Sequence, residues 1–78
     1  MVNLVDYGKD HFISRSQAKR IIFGLEKFAI ITFDFKKIDF VGQGFVDEIF
    51  RVFANKHPHI KLNFVNANSD VEYMIKRS

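Results

Sequence analysis

The sequence of 78 residues has no cysteine, no tryptophan and a single proline. Without cysteine the chain can form neither a disulfide framework nor a thiolate zinc site, so the fold must rest on packing alone. No stretch approaches the roughly 18 uninterrupted apolar residues of a membrane span. The first residues lack a basic region followed by a long apolar run, so we expect no signal peptide there. We therefore expect a cytoplasmic protein that is neither exported nor membrane-spanning.

Motifs of enzymes are absent as well. The chain has no phosphate-binding GxxxxGK[ST] run, no nucleophile elbow and no HExxH motif. His57 and His59 flank a proline without a third ligand in view, which does not predict a metal site. Asp34 and Asp39 could form a carboxylate pair, but Asp34 at a strand end is better suited to accept N–H bonds from the adjacent turn. The sequence therefore predicts a non-catalytic protein without a cofactor.

Charge gives only a weak indication of the partner. The formal net charge is +3 and the isoelectric point about 9.4, values that suit an acidic partner or nucleic acid. The basic residues are scattered, however, and the only doublets are Lys36-Lys37 and Lys76-Arg77. We expect a mildly basic solvated surface, which makes nucleic acid an unfavoured partner.

Ten phenylalanines, together with many isoleucines, leucines and valines, supply the core of one small domain over residues 1–78. Hydrophobic periodicity and turn residues predict an α/β fold in β-α-β-α-β-α order around a small central sheet, with a short N-terminal strand. The predicted segments are a strand at 2–5, a turn at 8–10, a helix at 15–27, a strand at 29–35, a strand-like segment at 38–41, a glycine turn at 42–44, a helix to Lys56, a strand at 60–65, a turn at 66–68 and a last helix from Ser69.

Capping boxes mark two of the helices: Ser14 with Gln17, and Ser69 with Glu72. On the first helix one stripe is apolar and predicts core, namely Ala18, Ile21, Ile22 and Leu25. Phe23 falls on the opposite, polar side, where it is either covered by a loop or part of an interface. The strand at 29–35 is almost continuously apolar, which is typical of a middle strand covered on both faces.

The second helix has an apolar arc of roughly 160°, wider than one packed face needs. The arc contains Phe45, Val46, Ile49, Phe50, Val52 and Phe53. The predicted solvent side contains Asp47, Glu48, Arg51 and Asn55. An Asp47–Arg51 pair four residues apart would add only a few tenths of a kcal/mol.

Gly42 and Gly44 flank Gln43 where this helix starts. Glycines at a helix N-terminus leave N–H groups uncovered for a carboxylate or phosphate. Equally, they could permit a tight turn with positive φ. Because the turns after parallel strands gather at one edge of a sheet, the turns at 42–44 and 66–68 are expected together, where partners usually bind.

From about Phe12 to Lys76 the chain resembles the STAS superfamily, whose familiar members are antagonists of anti-sigma factors, and especially its uncharacterised STAS-like branch. The run from Asp34 to Val41 is similar to the D-L-S-x-V-x-F-I of the antagonists, which leads into D-S-S-G-L with a phosphorylated serine. Here Gly42-Gln43-Gly44-Phe45 stands at that place, without a hydroxyl. The resemblance implies a STAS-like fold and, as partner, an ATP-binding domain of the histidine-kinase type.

Typical STAS domains open with two strands before the first helix, whereas residues 1–13 supply one convincingly. The chain is therefore either a short variant or a trimmed part of a longer protein. A short N-terminus also leaves a sheet edge less protected, and exposed edges pair with other chains. We expect a weak homodimer, formed through this edge or through Phe23.

These observations favour a protein-interaction and regulatory module over an enzyme, a small hydrolase or transferase having least support. Its predicted partner-binding residues are Asp39, Gly42, Gln43, Gly44, Phe45 and Glu48. Phe45 would alternatively be a core residue. The alternative function is a nucleic-acid-associated module that uses phosphate contacts and ring stacking on the first helix. Its residues would be Lys19, Arg20, Phe23 and Lys27.

Overall fold

A computed structural model describes residues 1–7 and 12–77, and the turn predicted at 8–10 lies outside the described residues. Three strands, β1 (Val2–Asn3), β2 (Ile30–Asp34) and β3 (Lys61–Val65), form one parallel sheet in the order β1-β2-β3. The prediction that β2 is the middle strand is confirmed. β1 is shorter than the predicted strand because Leu4–Tyr7 turn into a 3-10 helix.

Helices alternate with these strands, which confirms the predicted order of elements. α1 covers Arg15–Ile22 and is followed by a 3-10 turn, Leu25–Lys27. α2 runs over residues 43–56 as an α-helical segment Gln43–Asp47, a π-helical segment Glu48–Phe53 and an α-helical segment Ala54–Lys56. α3 covers Ser69–Arg77. The predicted strand at 38–41 is reduced to one parallel bridge between Phe12 and Val41.

The capping box of α1 is present as predicted. The Gln17 N–H donates to Ser14 Oγ at 3.3 Å, and the Ser14 N–H donates to Gln17 Oε1 at 2.8 Å. The helix ends at Ile22, five residues before the predicted end at Lys27, because Gly24 adopts a left-handed conformation with φ of 84°. Ala18, Ile21 and Ile22 are buried and Leu25 is partly buried, as the stripe on α1 predicts.

β2 is packed on one face only, contrary to the prediction of cover on both faces. Its burial alternates: Ile31 and Phe33 are buried, whereas Ile30 on the other face is 63% exposed. Phe50 of α2 packs edge to face on Phe33 and on Phe64 of β3, with ring centres 5.8 and 6.2 Å apart. The continuous apolar run of β2 therefore reflects one packed face together with an exposed isoleucine.

α2 is more deeply buried than its pattern predicts. Phe45, Val46 and Ile49 are inaccessible to solvent, and Asp47 and Glu48 are also buried, with exposed fractions of 7% and 5%. The prediction that these two acidic residues lie on the solvent side is wrong, since α1 packs over that side of α2. Among the described residues no helix is long and apolar enough to cross a membrane.

Candidate functional site

Hydrogen bonds join the segments that follow β2 and β3 at one edge of the sheet, so the turn at 66–68 lies beside residues 34–39, whereas Gly42 of the turn predicted beside it contacts Phe12 and Ile13. Asp34, the last residue of β2, accepts hydrogen bonds from Asn66 Nδ2 at 3.0 Å and from the Lys36 N–H at 2.9 Å. These two bonds hold the pKa of Asp34 below its ordinary value of 3.8. Asp34 therefore has the structural role that its place at a strand end predicts.

Asn68 joins the segment after β2 to the start of α3. Its Nδ2 donates to the carbonyl oxygen of Asp39 at 3.2 Å, and its Oδ1 accepts from the Val71 N–H at 2.8 Å. The second bond makes Asn68 the N-cap of α3. The prediction that Ser69 is the N-cap, in a capping box with Glu72, is therefore wrong, because the cap lies one residue earlier. The side-chain amide of Asn68 thus fixes the position of the segment after β2 relative to the start of α3.

Gly42 is the N-cap of α2 and has an extended conformation with φ of −90°, so neither it nor Gly44 needs a positive φ. Glycine is needed at position 42 because the backbone of Ile13 lies too close for a side chain: a Cβ there would be 2.5 Å from the Ile13 carbonyl oxygen. The Gly42 N–H donates to the Phe12 oxygen at 2.8 Å, and the Phe45 N–H donates to the Ile13 oxygen at 3.1 Å. The chain itself therefore fills much of the predicted anion site.

The six predicted partner-binding residues divide by burial. Asp39 and Gln43 are exposed and Gly44 is partly exposed, whereas Gly42, Phe45 and Glu48 are buried. Phe45 is a core residue whose ring packs on Phe12, with ring centres 5.3 Å apart. Asp39 and Gln43 thus remain as side chains that a partner can contact, whereas Glu48 faces Arg15 of α1.

An apolar groove beside Asp39 was not predicted. The groove, of about 240 Å³, lies between the segment after β2 and α3 and is lined by Phe40, Val41, Asp70, Val71, Tyr73 and Met74. Phe40 and Tyr73 are 56% and 62% exposed. The sequence could not reveal the groove, because an exposed aromatic residue in a short apolar run has the same pattern as a core residue. We call this surface, with Asp39 and Gln43, the edge surface.

An ion cluster of two buried carboxylates and two half-exposed arginines ties α1 to α2. Asp47 accepts two hydrogen bonds from Arg51, at Nε (2.6 Å) and Nη2 (2.7 Å), and a third bond from Arg15 Nη1 at 2.6 Å. Arg15 also lies 3.7 Å from Glu48 Oε1. The hydrogen bonds from Arg51 and then from Arg15 lower the pKa of Asp47 to about 2. Asp47 thus has two arginine partners and three charge-assisted hydrogen bonds, whereas the sequence predicts a single solvent-exposed pair.

Phe23 is 76% exposed, so of the two predicted alternatives, cover by a loop or part of an interface, the first is wrong. It borders a second groove, of about 440 Å³, between α1 and α2. The groove is lined by Lys19, Ile22, Phe23, Glu26, Glu48, Phe53, Lys56 and His57. We call this surface the Phe23 groove. Its two glutamates stand beside the two lysines, which gives nucleic-acid phosphates little electrostatic preference for this face.

His57 and His59 lie beside an aromatic ring and each other. The His57 ring packs on Phe53, with ring centres 4.8 Å apart, and on His59, with ring centres 6.1 Å apart. Within residues 1–7 and 12–77 no group of three or more histidine, aspartate or glutamate side chains could hold a metal ion.

Comparison with known proteins identifies one family. The model of a family described as a STAS-like domain of unknown function matches residues 17–72, well over half of the chain. The match begins within α1, includes β2, α2 and β3, and ends in α3. No curated protein and no solved structure matches the chain.

Proposed function

The chain belongs to the family of STAS-like domains of unknown function, and we propose that it is a non-catalytic regulatory module that binds a protein partner through the edge surface. The observation that carries the proposal is the pair of exposed rings, Phe40 and Tyr73, on either side of one apolar groove.

Exposed aromatic rings beside a groove are the usual anchors of protein interfaces. Burial of one such ring in a partner stabilises a complex by about 1.5–3 kcal/mol from apolar area. Aromatic anchors are also enriched among the residues that dominate binding. Phe40 and Tyr73 are the two rings that border this groove, and a partner side chain inserted between them would contact both.

The edge surface is held in place before any partner arrives. Asn68 links the chain at Asp39 to the start of α3, and Asp34 links the ends of β2 and β3 through Asn66. A surface that is already ordered loses less conformational entropy when it binds. These hydrogen bonds therefore favour a binding role for the edge surface over a merely flexible loop.

The charges at the groove indicate the chemistry of the partner. Asp39 and Asp70 are exposed carboxylates next to the apolar lining, and no ion pair involves either of them within the described parts of the chain. A partner segment with an apolar side chain flanked by lysine or arginine complements such a groove in shape and charge. We expect this segment on an ATP-binding domain of the histidine-kinase type, the partner that the family resemblance implies.

The proposed interaction is not switched at the start of α2. Residues 42–45 have no hydroxyl group, so a kinase cannot place phosphate where related antagonists carry their phosphorylated serine. We expect mass spectrometry after incubation with such a kinase to find α2 unmodified at its start. Phosphate at Ser14, Ser16, Thr32 or Ser69 with loss of binding would instead show a switch at another place.

The test measures partner affinity on matched variants. The partner is first isolated by affinity capture from the native cell extract and then purified. Phe40→Ala should weaken its binding about 25-fold or more, because loss of an anchor costs about 2 kcal/mol. Gln43→Arg should also weaken binding, since it adds a positive charge and bulk beside a partner that carries basic residues.

Phe23→Ala is the control, because it removes another exposed ring that is not part of the edge surface. Titration calorimetry should find its affinity unchanged. Melting temperatures of all three variants should stay close to that of the parent, since none of these side chains is buried. Unchanged affinity in both Phe40→Ala and Gln43→Arg would exclude the edge surface as the binding site.

A further inference from the structure

The Phe23 groove combines a protruding ring and a receiving cavity on one face. Phe23 follows the end of α1 and is 76% exposed, while Ile22 and Phe53 in the adjacent groove are buried. Within the groove lining the ring is thus the apolar side chain that projects into solvent. A phenylalanine in this position costs solubility without contributing to the core of its own chain.

We propose that two copies of this chain form a two-fold dimer in which Phe23 of each copy inserts into the Phe23 groove of the other. A two-fold interface requires that one patch complement itself, so that each contact occurs twice. A face that carries both the ring and the groove satisfies this condition. A different protein would have to carry its own surface complementary to both the ring and the groove.

The charges around the groove complement themselves as well. Lys19 and Lys56 line the groove together with Glu26, and all three residues are exposed. A patch of a single sign would repel its own copy, whereas a patch with both signs can place Glu26 of one copy against a lysine of the other. This balance of charge is the feature that favours a second copy over a highly charged partner.

The size of the contact predicts a weak dimer. A stable interface buries about 800 Å² on each partner, a large share of the 5046 Å² that this small chain exposes. We expect one ring and a short rim to bury less than that. The dimer should therefore form at high protein concentration and dissociate on dilution. The Phe23 groove and the edge surface share no residue, so the inference does not depend on the proposed function.

Sedimentation velocity of the 78-residue chain over a wide range of concentrations tests the proposal. The parent protein should shift from monomer to dimer as concentration rises. Phe23→Ala should raise the dimer dissociation constant about 25-fold, the loss expected when a central anchor is truncated. Phe40→Ala removes a comparable exposed ring from the edge surface and should leave the dimer unchanged.

Charge reversal gives a second, independent readout. Glu26→Lys should weaken the dimer because the rim becomes wholly basic, and addition of Lys56→Glu should restore it. Both positions are exposed, so the variants should melt like the parent. A strict monomer at every concentration, or a dimer that Phe23→Ala leaves intact, would overturn the proposal. The second result would place self-association elsewhere, such as the sheet edge at the short N-terminal strand β1.

Discussion

Gly42 offers the sharpest test of how the start of α2 is built, because Gly44 two residues later is a matched control. A Cβ at Gly42 would lie 2.5 Å from the oxygen and 2.8 Å from the Cα of Ile13, which are backbone atoms that cannot rotate away. The nearest atom to a Cβ at Gly44 is the Arg15 Cγ at 3.5 Å, an ordinary contact. The same substitution is therefore expected to have opposite effects at the two positions.

For Gly42→Ala, forcing a methyl group into a closely packed contact costs about 1–3 kcal/mol. The shift also strains the bonds from the Gly42 N–H to Phe12 and from the Phe45 N–H to Ile13, each of which contributes about 1 kcal/mol. We expect the free energy of unfolding to fall by about 2–4 kcal/mol, a large part of the roughly 4–12 kcal/mol typical of a domain of this size.

Gly44→Ala should raise the free energy of unfolding by up to about 1 kcal/mol, since alanine is the better helix residue. Urea unfolding followed by circular dichroism measures both changes, and thermal melting should show Gly42→Ala at least about 10 °C below the parent. Equal stability of the two variants, or a Gly42→Ala protein that melts like the parent, would refute the close approach of Ile13 to Gly42.

Three further predictions concern the core, a cap and an ion pair. Phe45→Ala should lower the free energy of unfolding by about 3–5 kcal/mol, whereas Phe40→Ala should change it by less than about 0.5 kcal/mol. The midpoints of urea unfolding of the two variants measure this difference. Asn68→Ala should destabilise by about 0.5–2 kcal/mol through loss of the cap, and Ser69→Ala should be nearly neutral; if the order is reversed, Ser69 is the cap. Asp47 has a folded-state pKa of about 2, below its ordinary 3.8, so its contribution to stability is present above about pH 4 and is lost as the pH falls towards 2. In Asp47→Asn the free energy of unfolding should therefore depend less on pH over this range. If the pH dependence of the variant equals that of the parent, the ion cluster is contradicted.

If the edge surface and the Phe23 groove both act as proposed, each variant should affect only one of the two interactions. Phe40→Ala impairs partner binding and spares self-association, whereas Phe23→Ala does the reverse. A variant that impaired both would indicate that dimerisation and partner binding use one connected surface. The two assays together therefore test whether a dimer of this chain presents two independent edge surfaces.

Local signals in the sequence were sufficient for the order of elements, whereas β2 is the middle strand without the cover on both faces from which its place was inferred. The Ser14 capping box and the stripe on α1 depend on residues within two turns of each other, and such neighbours interact whatever the rest of the fold does. The chain that follows β2 could be placed beside the turn at 66–68 because the carboxyl ends of parallel strands share one edge of the sheet. The structural role of Asp34 followed from the same argument.

Tertiary packing decided the rest, because it depends on which surfaces meet. The burial of Asp47 and Glu48 follows from the position of α1 over α2, and no periodicity within α2 contains that information. Gly42 is needed for its distance to Ile13, a residue 29 positions earlier in the chain. The exposure of Phe23, Phe40 and Tyr73, on which both proposals depend, likewise becomes visible only when the folded chain leaves these rings uncovered, since hydrophobicity alone does not distinguish a core ring from a binding ring.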